Sequence, residues 1–140
     1  MPDDQMPDDQ MPEILIVEDN LLNLVVEADL LKSYGYEPKK AKNGFEALEV
    51  LSKVKVDLVL MDMELPKMHG LELLQRIKCN PDTRSIKVVA ITGHCDPESK
   101  QEFLKAGCYA VLSKPINFDI FGSQVKEFLT VASSSLYFSE

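Results

Sequence analysis

Polar residues stand at the ends of several apolar runs, and their types together define a chemistry. Glu18 and Asp19 follow "ILIV" (Ile14 to Val17), and Asp62 follows "LVLM" (Leu58 to Met61). Thr92 closes "KVVAIT" (Lys87 to Thr92), and Lys114 follows "YAVLS" (Tyr109 to Ser113). A buried strand ordinarily avoids ending in an unpaired charge, because desolvating that charge is costly. Three carboxylates gathered in one place repel one another unless a divalent cation or an ammonium group neutralises them. Oxygen donors without a neighbouring His or Cys cluster favour Mg²⁺, which prefers one or two carboxylates together with phosphate oxygens. In that setting Asp62 can attack phosphorus as a carboxylate nucleophile and form an aspartyl phosphate. Glu18, Asp19 and Asp62 would hold the cation, while Lys114 and the Thr92 hydroxyl take the remaining oxygens of the transferring group. Taken singly, each residue has a plainer reading: an Asp after a strand often caps a helix, the Glu18-Asp19 pair could cap the first helix, and Lys114 could be a solvated loop lysine. Their conjunction at successive strand ends argues for the chemistry.

The elements that must position these residues can be read from apolar patterning. The continuous apolarity of the four runs fits strands covered on both faces, as in a parallel sheet. A weaker strand, Glu37 to Ala41, contains Pro38 and two lysines and suits an edge. Helical spacing places Leu22, Val26 and Leu30 on the inner side of a helix over Leu22 to Ser33, Ala47, Leu48 and Leu51 over Phe45 to Ser52, and Leu73, Leu74 and Ile77 over Leu71 to Lys78. Asp96 is an N-cap with Pro97 at the first helical position of a segment that ends at Ala106 before Gly107. A last helix follows Asn117 with Phe121, Val125, Phe128 and Leu129 inward. Strands alternating with helices in this way predict a doubly wound α/β domain of five parallel strands and five helices, whose ligand site lies outside the carboxyl ends of the strands.

Bulk properties narrow the function. The 140 residues suffice for one domain, with 45% hydrophobic and 27% charged residues. No apolar stretch approaches bilayer length, so no membrane insertion is expected. The net charge of −8 argues against binding nucleic acid or an anionic membrane surface. The acidic start, with the repeat "MPDDQ" at Met1 to Gln5 and Met6 to Gln10, has no secretory character, which predicts a cytoplasmic protein. Residues 1–11 read as a tail, 12–129 as the domain and 130–140 as a second tail. Cys79, Cys95 and Cys108 match no metal-ligand spacing and are read as free thiols packed as small hydrophobes.

The motifs "ILIVEDN", "DLVLMDMELPKMHGLEL", "VVAITGH" and "GCYAVLSKPI" together resemble the receiver domains of two-component response regulators, over Pro12 to Leu129. The resemblance implies a flavodoxin-like fold with strand order 2-1-3-4-5 and a stand-alone regulator. It implies that Asp62 accepts a phosphoryl group from the phosphohistidine of a sensor histidine kinase or a histidine phosphotransfer protein. Mg²⁺, with Mn²⁺ as a substitute, would be bound by Glu18, Asp19, Asp62 and the backbone carbonyl of Glu64. Thr92 and Lys114 would contact the phosphoryl group, the Lys114-Pro115 bond would be cis, and the output would be binding to a downstream protein target. Such a protein is a phosphoacceptor rather than an enzyme, limited to phosphorylating itself from a phosphodonor and dephosphorylating itself.

One position departs from the family. Three residues before the lysine, where Tyr or Phe is usual, stands Val111, and Tyr109 shares its facing parity without being an obvious substitute. The first helix is also apolar beyond its inner stripe, through Leu21, Leu24, Val25, Ala28 and Leu31, which reads as a docking face, with packing against the last helix as the alternative. A competing reading is an aspartyl phosphatase using Glu64 as general acid.

Overall fold

The computed structural model describes residues 11–130, so the proposed tails, 1–11 and 130–140, lie outside the described residues except for Met11, which packs on the core, and Thr130, which ends the last helix. The chain runs β1 (Ile14–Val17), α1 (Leu21–Ser33), β2 (Lys39–Ala41), α2 (Gly44–Lys53), β3 (Leu58–Asp62), α3 (Gly70–Cys79), β4 (Lys87–Thr92), α4 (Pro97–Lys105), β5 (Ala110–Ser113) and α5 (Phe118–Thr130). All strand pairs are parallel, in the order β2-β1-β3-β4-β5. The register aligns Ile16 with Leu60, Leu60 with Val89 and Val89 with Ala110. These residues and those two positions along each strand face α1 and α5, where Leu24, Ala28, Leu31, Phe121, Val125 and Phe128 close one core. Alternate residues, among them Val17, Val59, Met61, Val88 and Val111, face the opposite way and pack with Ala47, Leu73, Leu74, Ile77 and Phe103. Burial on both faces is what the continuous apolar runs encode, each fully buried Leu or Ile contributing about 1.5–3 kcal/mol.

Helix starts are fixed by local chemistry. The side chains of Asn20, Asn43 and Asp96 accept from the amides of Asn23, Glu46 and Ser99 at 3.0, 2.9 and 3.1 Å, satisfying donors that the first helical turn leaves open. Pro97 stands at the first position of α4, and Gly107 carries a φ of +118° after it, as expected from the sequence. Asn20, rather than Glu18 or Asp19, caps α1.

Several expectations are corrected. The second strand starts at Lys39, two residues late, because Pro38 cannot donate to a ladder, although its edge position is as expected. The inner stripe of α1 is Leu24, Glu27, Ala28 and Leu31, not Leu22, Val26 and Leu30. Leu21, Leu22 and Val25 are exposed, while Leu24, Ala28 and Leu31, assigned to an outer face from sequence, are buried against the sheet and α5. A helix apolar on most sides gives periodicity no phase to report. Of the free cysteines, Cys108 is buried and Cys95 half-buried as small hydrophobes, but Cys79 is exposed. No helix among the described residues is long and apolar enough to cross a membrane.

Candidate functional site

Parallel strands bring their carboxyl ends to one edge, and the ladder holds the chain in place just past it. The Glu18 amide bonds the Ala41 carbonyl at 2.9 Å, the Met63 amide the Ile91 carbonyl at 2.9 Å, and the Lys114 amide the Thr92 carbonyl at 2.9 Å. Each functional side chain is therefore fixed by a backbone bond at or next to its own residue. After Asp62 the chain must turn sharply into α3. The Gly70 amide bonds the Met63 carbonyl at 3.3 Å, and a Cβ at Gly70 would lie 2.7 Å from the Met63 Cα, so the close approach requires glycine. Lys67 within this turn adopts a left-handed φ of 70°. The Lys114-Pro115 peptide is cis, as expected.

Asp62 is 2% exposed and the center of the site. Its Oδ1 accepts from the Lys114 Nζ at 2.9 Å and from the Glu64 amide at 2.9 Å. Oxygens of Glu18, Asp19 and Asp62 lie within 4.8 Å of one another, with Glu18 and Asp62 buried and Asp19 exposed. The crowding is visible in the protonation equilibria. Burial pushes Glu18 up to about 7, with the Asp62 charge adding to it against the opposing pull of the Asn20 amide, which donates to Glu18 at 3.1 Å, and of Lys114. Such a set of hard oxygen donors with more negative charge than one ammonium can offset fits a divalent cation. Glu18, Asp19 and Asp62 supply three carboxylates of the kind such an ion takes.

Thr92 is fully buried, and its hydroxyl does not reach Asp62. It donates instead to Glu64 Oε2 at 2.7 Å, and Lys114 Nζ reaches Glu64 Oε1 at 3.3 Å. The Glu64 carboxylate thus bridges the hydroxyl and the ammonium that were expected to meet a phosphoryl group. Partial burial of Glu64 acts to raise its pKa, but the bonds from Thr92 and Lys114 and the Lys114 charge outweigh it and hold the group below the usual carboxylate range. A general acid needs the opposite shift from the one these contacts impose on Glu64.

Two site features were missed from sequence: the Glu64 bridge, signalled only by an acid two residues after Asp62, and Glu27. Glu27 is 1% exposed, and burial, then the charges of Glu18 and Asp62, push it up to about 8. A Glu at helical spacing within the stripe of Leu24, Ala28 and Leu31 was the available signal. Val111 lies in the core beneath α3 and α4 with Phe103 and Cys108, only 2% exposed. Tyr109 does not share its face. It precedes β5, so strand alternation does not reach it, and its ring packs edge-on against Phe128 of α5 at 6.1 Å.

The model of the response regulator receiver domain family matches residues 14–126. The polar-differentiation response regulator DivK of Brucella anthropi is 38% identical over 116 residues, spanning 83% of this chain and 94% of that protein. Among solved structures, the chemotaxis response regulator CheY4 of Vibrio cholerae superposes with a TM-score of 0.80 at 27% identity, covering 85% of this chain and 99% of that one. The Mn²⁺-bound form of response regulator Rcp1 superposes with a TM-score of 0.77 at 25% identity, covering 87% and 97%.

Proposed function

The chain belongs to the response regulator receiver domain family, in which an aspartate is phosphorylated with Mg²⁺, and from that premise we propose that Asp62 is the phosphoacceptor. The observation that carries the assignment is the Lys114 ammonium 2.9 Å from a buried carboxylate that ends the middle strand of the sheet. A carboxylate oxygen of Asp62 attacks phosphorus, and the phosphorus–nitrogen bond of a phosphohistidine breaks with its electron pair passing to the imidazole. Glu18, Asp19 and Asp62, with the Glu64 carbonyl, are the ligands we assign to Mg²⁺, whose charge when bound offsets that of the transferring oxygens. Mn²⁺ would serve as well, in keeping with the Mn²⁺-bound form of Rcp1. Lys114 stabilises the phosphoryl oxygens electrostatically, and Thr92 donates its hydroxyl to one of them.

For both residues this means leaving Glu64. Thr92 is tied to the following loop, since its hydroxyl accepts from the His94 amide at 2.9 Å and its carbonyl from the Cys95 thiol at 3.4 Å. Movement of Thr92 therefore pulls on residues 93–97 and the start of α4, a route that does not need the aromatic residue that Val111 replaces. The partners are a sensor histidine kinase or histidine phosphotransfer protein, for which the exposed Leu21, Leu22 and Val25 beside the site form the docking face, and a downstream protein that reads the loop. The reading entails a cytoplasmic address, where ATP-fed phosphodonors work, and no catalysis beyond gain and loss of the chain's own phosphoryl group.

Incubation with acetyl phosphate and Mg²⁺, followed by intact-mass spectrometry, should give one phosphoryl adduct on the wild type and none on Asp62→Asn. A full-yield adduct on the Asn variant would overturn the assignment.

A further inference from the structure

Among the buried polar side chains, Glu27 stands apart. Glu18 accepts from the Asn20 amide, Asp62 from Lys114, Thr83 donates to the Ile77 carbonyl at 2.7 Å and Thr92 to Glu64, yet neither carboxylate oxygen of Glu27 has a hydrogen-bond partner. Leaving a buried carboxylate charged and unpaired is among the costliest arrangements a fold can hold, so Glu27 either keeps its proton or meets a cation. Helical side chains lean toward the helix N-terminus, and α1 begins at the carboxyl edge of the sheet. Glu27, two turns into α1 on its buried face, therefore aims back toward the carboxylates at that edge. The charged groups that act on it are Glu18 and Asp62, which repel it, and Lys114, which attracts it. Lys114 is already committed to Asp62 and Glu64, at 2.9 and 3.3 Å.

We propose that Glu27 is a further member of the cation site: a buried carboxylate behind Glu18 and Asp62 that faces the water shell of a bound divalent ion and raises the affinity for it. The inference rests on the Mg²⁺ site assigned above. The ion is the one cation that this reading brings to the edge without removing Lys114 from its partners. Ionised beside the cation, a carboxylate behind the ligands adds negative potential and accepts from water bound to the metal, and losing such an outer partner ordinarily costs about 10- to 100-fold in metal affinity. Glu27 acts through other groups and is a positioning residue.

The test measures Mg²⁺ affinity by isothermal titration calorimetry at fixed pH on the full chain, with melting temperatures in chelator recorded alongside. The variants are Glu27→Gln, Glu27→Leu and Asp19→Ala. The expected result is that Asp19→Ala loses Mg²⁺ binding, while both Glu27 variants bind at least about tenfold more weakly than wild type. Glu27→Leu should also melt higher than wild type in chelator, because it removes a buried unpaired acid, which shows that its weaker binding is not loss of fold. If both Glu27 variants kept wild-type affinity while Asp19→Ala lost it, Glu27 would be a structural oddity and the site assignment would stand. If Asp19→Ala bound as tightly as wild type, the site assignment would fall and this inference with it.

Discussion

At the amino edge of the sheet Asp57, Lys78 and Lys87 meet local partners, whereas at the carboxyl edge carboxylates outnumber what the chain supplies to meet them. Before β3, the Asp57 carboxylate accepts the Glu13 amide at 2.8 Å, and Lys39 reaches Glu13 at 3.7 Å. Lys78, half-buried, donates to the carbonyls of Arg84 and Ile86, and Lys87 to that of Phe128 at 2.6 Å. At the other edge the ammonium of Lys114 pairs with Asp62 and Glu64 and is the only cation whose charge reaches Glu18 and Glu27 among the described residues, with Asp19 beside Glu18 and Asp62. The strands between are equally apolar, so hydrophobic burial does not distinguish the two ends. The difference lies in polar satisfaction: the amino edge is closed by its own groups, and the carboxyl edge is left with a charge that something from outside must complete.

The largest test of this contrast removes the shared ammonium. Lys114→Ala strands Asp62, which is nearly inaccessible, and in chelator should lower stability by about 3 kcal/mol, the scale for unpairing a buried charge. Asp57→Ala at the amino edge should cost about 1 kcal/mol, the worth of one ordinary hydrogen bond. Added Mg²⁺ should stabilise Lys114→Ala more than wild type and leave the deficit of Asp57→Ala unchanged. Urea unfolding of the three proteins with and without Mg²⁺ measures this. Equal losses in chelator would erase the distinction between the edges.

A pH series tests the same excess of carboxylates. Glu18 and Glu27 have folded-state pKa values of about 7 and 8 against an ordinary 4.5, so they bind protons more tightly in the folded chain than in the unfolded one. Their contribution to stability is fully present below about 4.5 and is lost as pH rises through 7 to 8. Metal-free protein should therefore lose stability steadily between pH 5 and pH 8, most steeply in the lower part of that range. The lowered pKa of Glu64 acts with the opposite sign, but below the ordinary carboxylate value and so outside this window. Chemical unfolding in chelator across that range checks the slope. A flat or rising curve would mean that the carboxyl edge carries no excess charge.

Most of this edge was legible in the sequence because strands covered on both faces are written as unbroken apolar runs, and the first polar residue after each run is the site. That rule points to Asp62 and Thr92 and, one residue past Ser113, to Lys114, and Pro38 with its lysines marks the edge position of β2. The phase of α1 was not legible. Leu21, Leu22, Val25 and Val26 lie beside Leu24 and Leu31 in hydrophobicity, so no single stripe stood out, and the charge of Glu27 argued for an outward position that the fold does not give it. The N-cap at Asn20 fixes where the helix starts, yet the rotation that buries Glu27 depends on how Leu24, Ala28 and Leu31 pack with Phe121, Val125 and Phe128, which is tertiary information. The bridge made by Glu64 was hidden for a related reason. A residue in a loop can send its side chain outward or back, and only the relative placement of Thr92 and Lys114 decides which.

Glu64 is also the exception within its edge, and the smallest prediction follows from it. Its two oxygens each accept from a side-chain donor, Thr92 at 2.7 Å and Lys114 at 3.3 Å, so its carboxylate is satisfied in the manner of the amino edge. Those two donors are the ones a phosphoryl group on Asp62 would need, and they must be withdrawn from Glu64 before they can stabilise the transferring charge. The side chain of Glu64 is 41% exposed, so water takes over much of what it loses, and the opposing cost is modest. Glu64→Ala keeps the backbone carbonyl and amide while removing the competing carboxylate. It should therefore accept phosphoryl groups from acetyl phosphate about fivefold faster, a barrier change of ~1 kcal/mol. Glu64→Gln, which retains an acceptor without the charge, should fall between the two. Initial rates of labelling at saturating Mg²⁺ separate this effect from any change in metal binding. If Glu64→Ala were slower than wild type, Glu64 would be assisting phosphoryl transfer instead of guarding Thr92 and Lys114, and the bridge would have to be read as part of the machinery that the phosphoryl group joins.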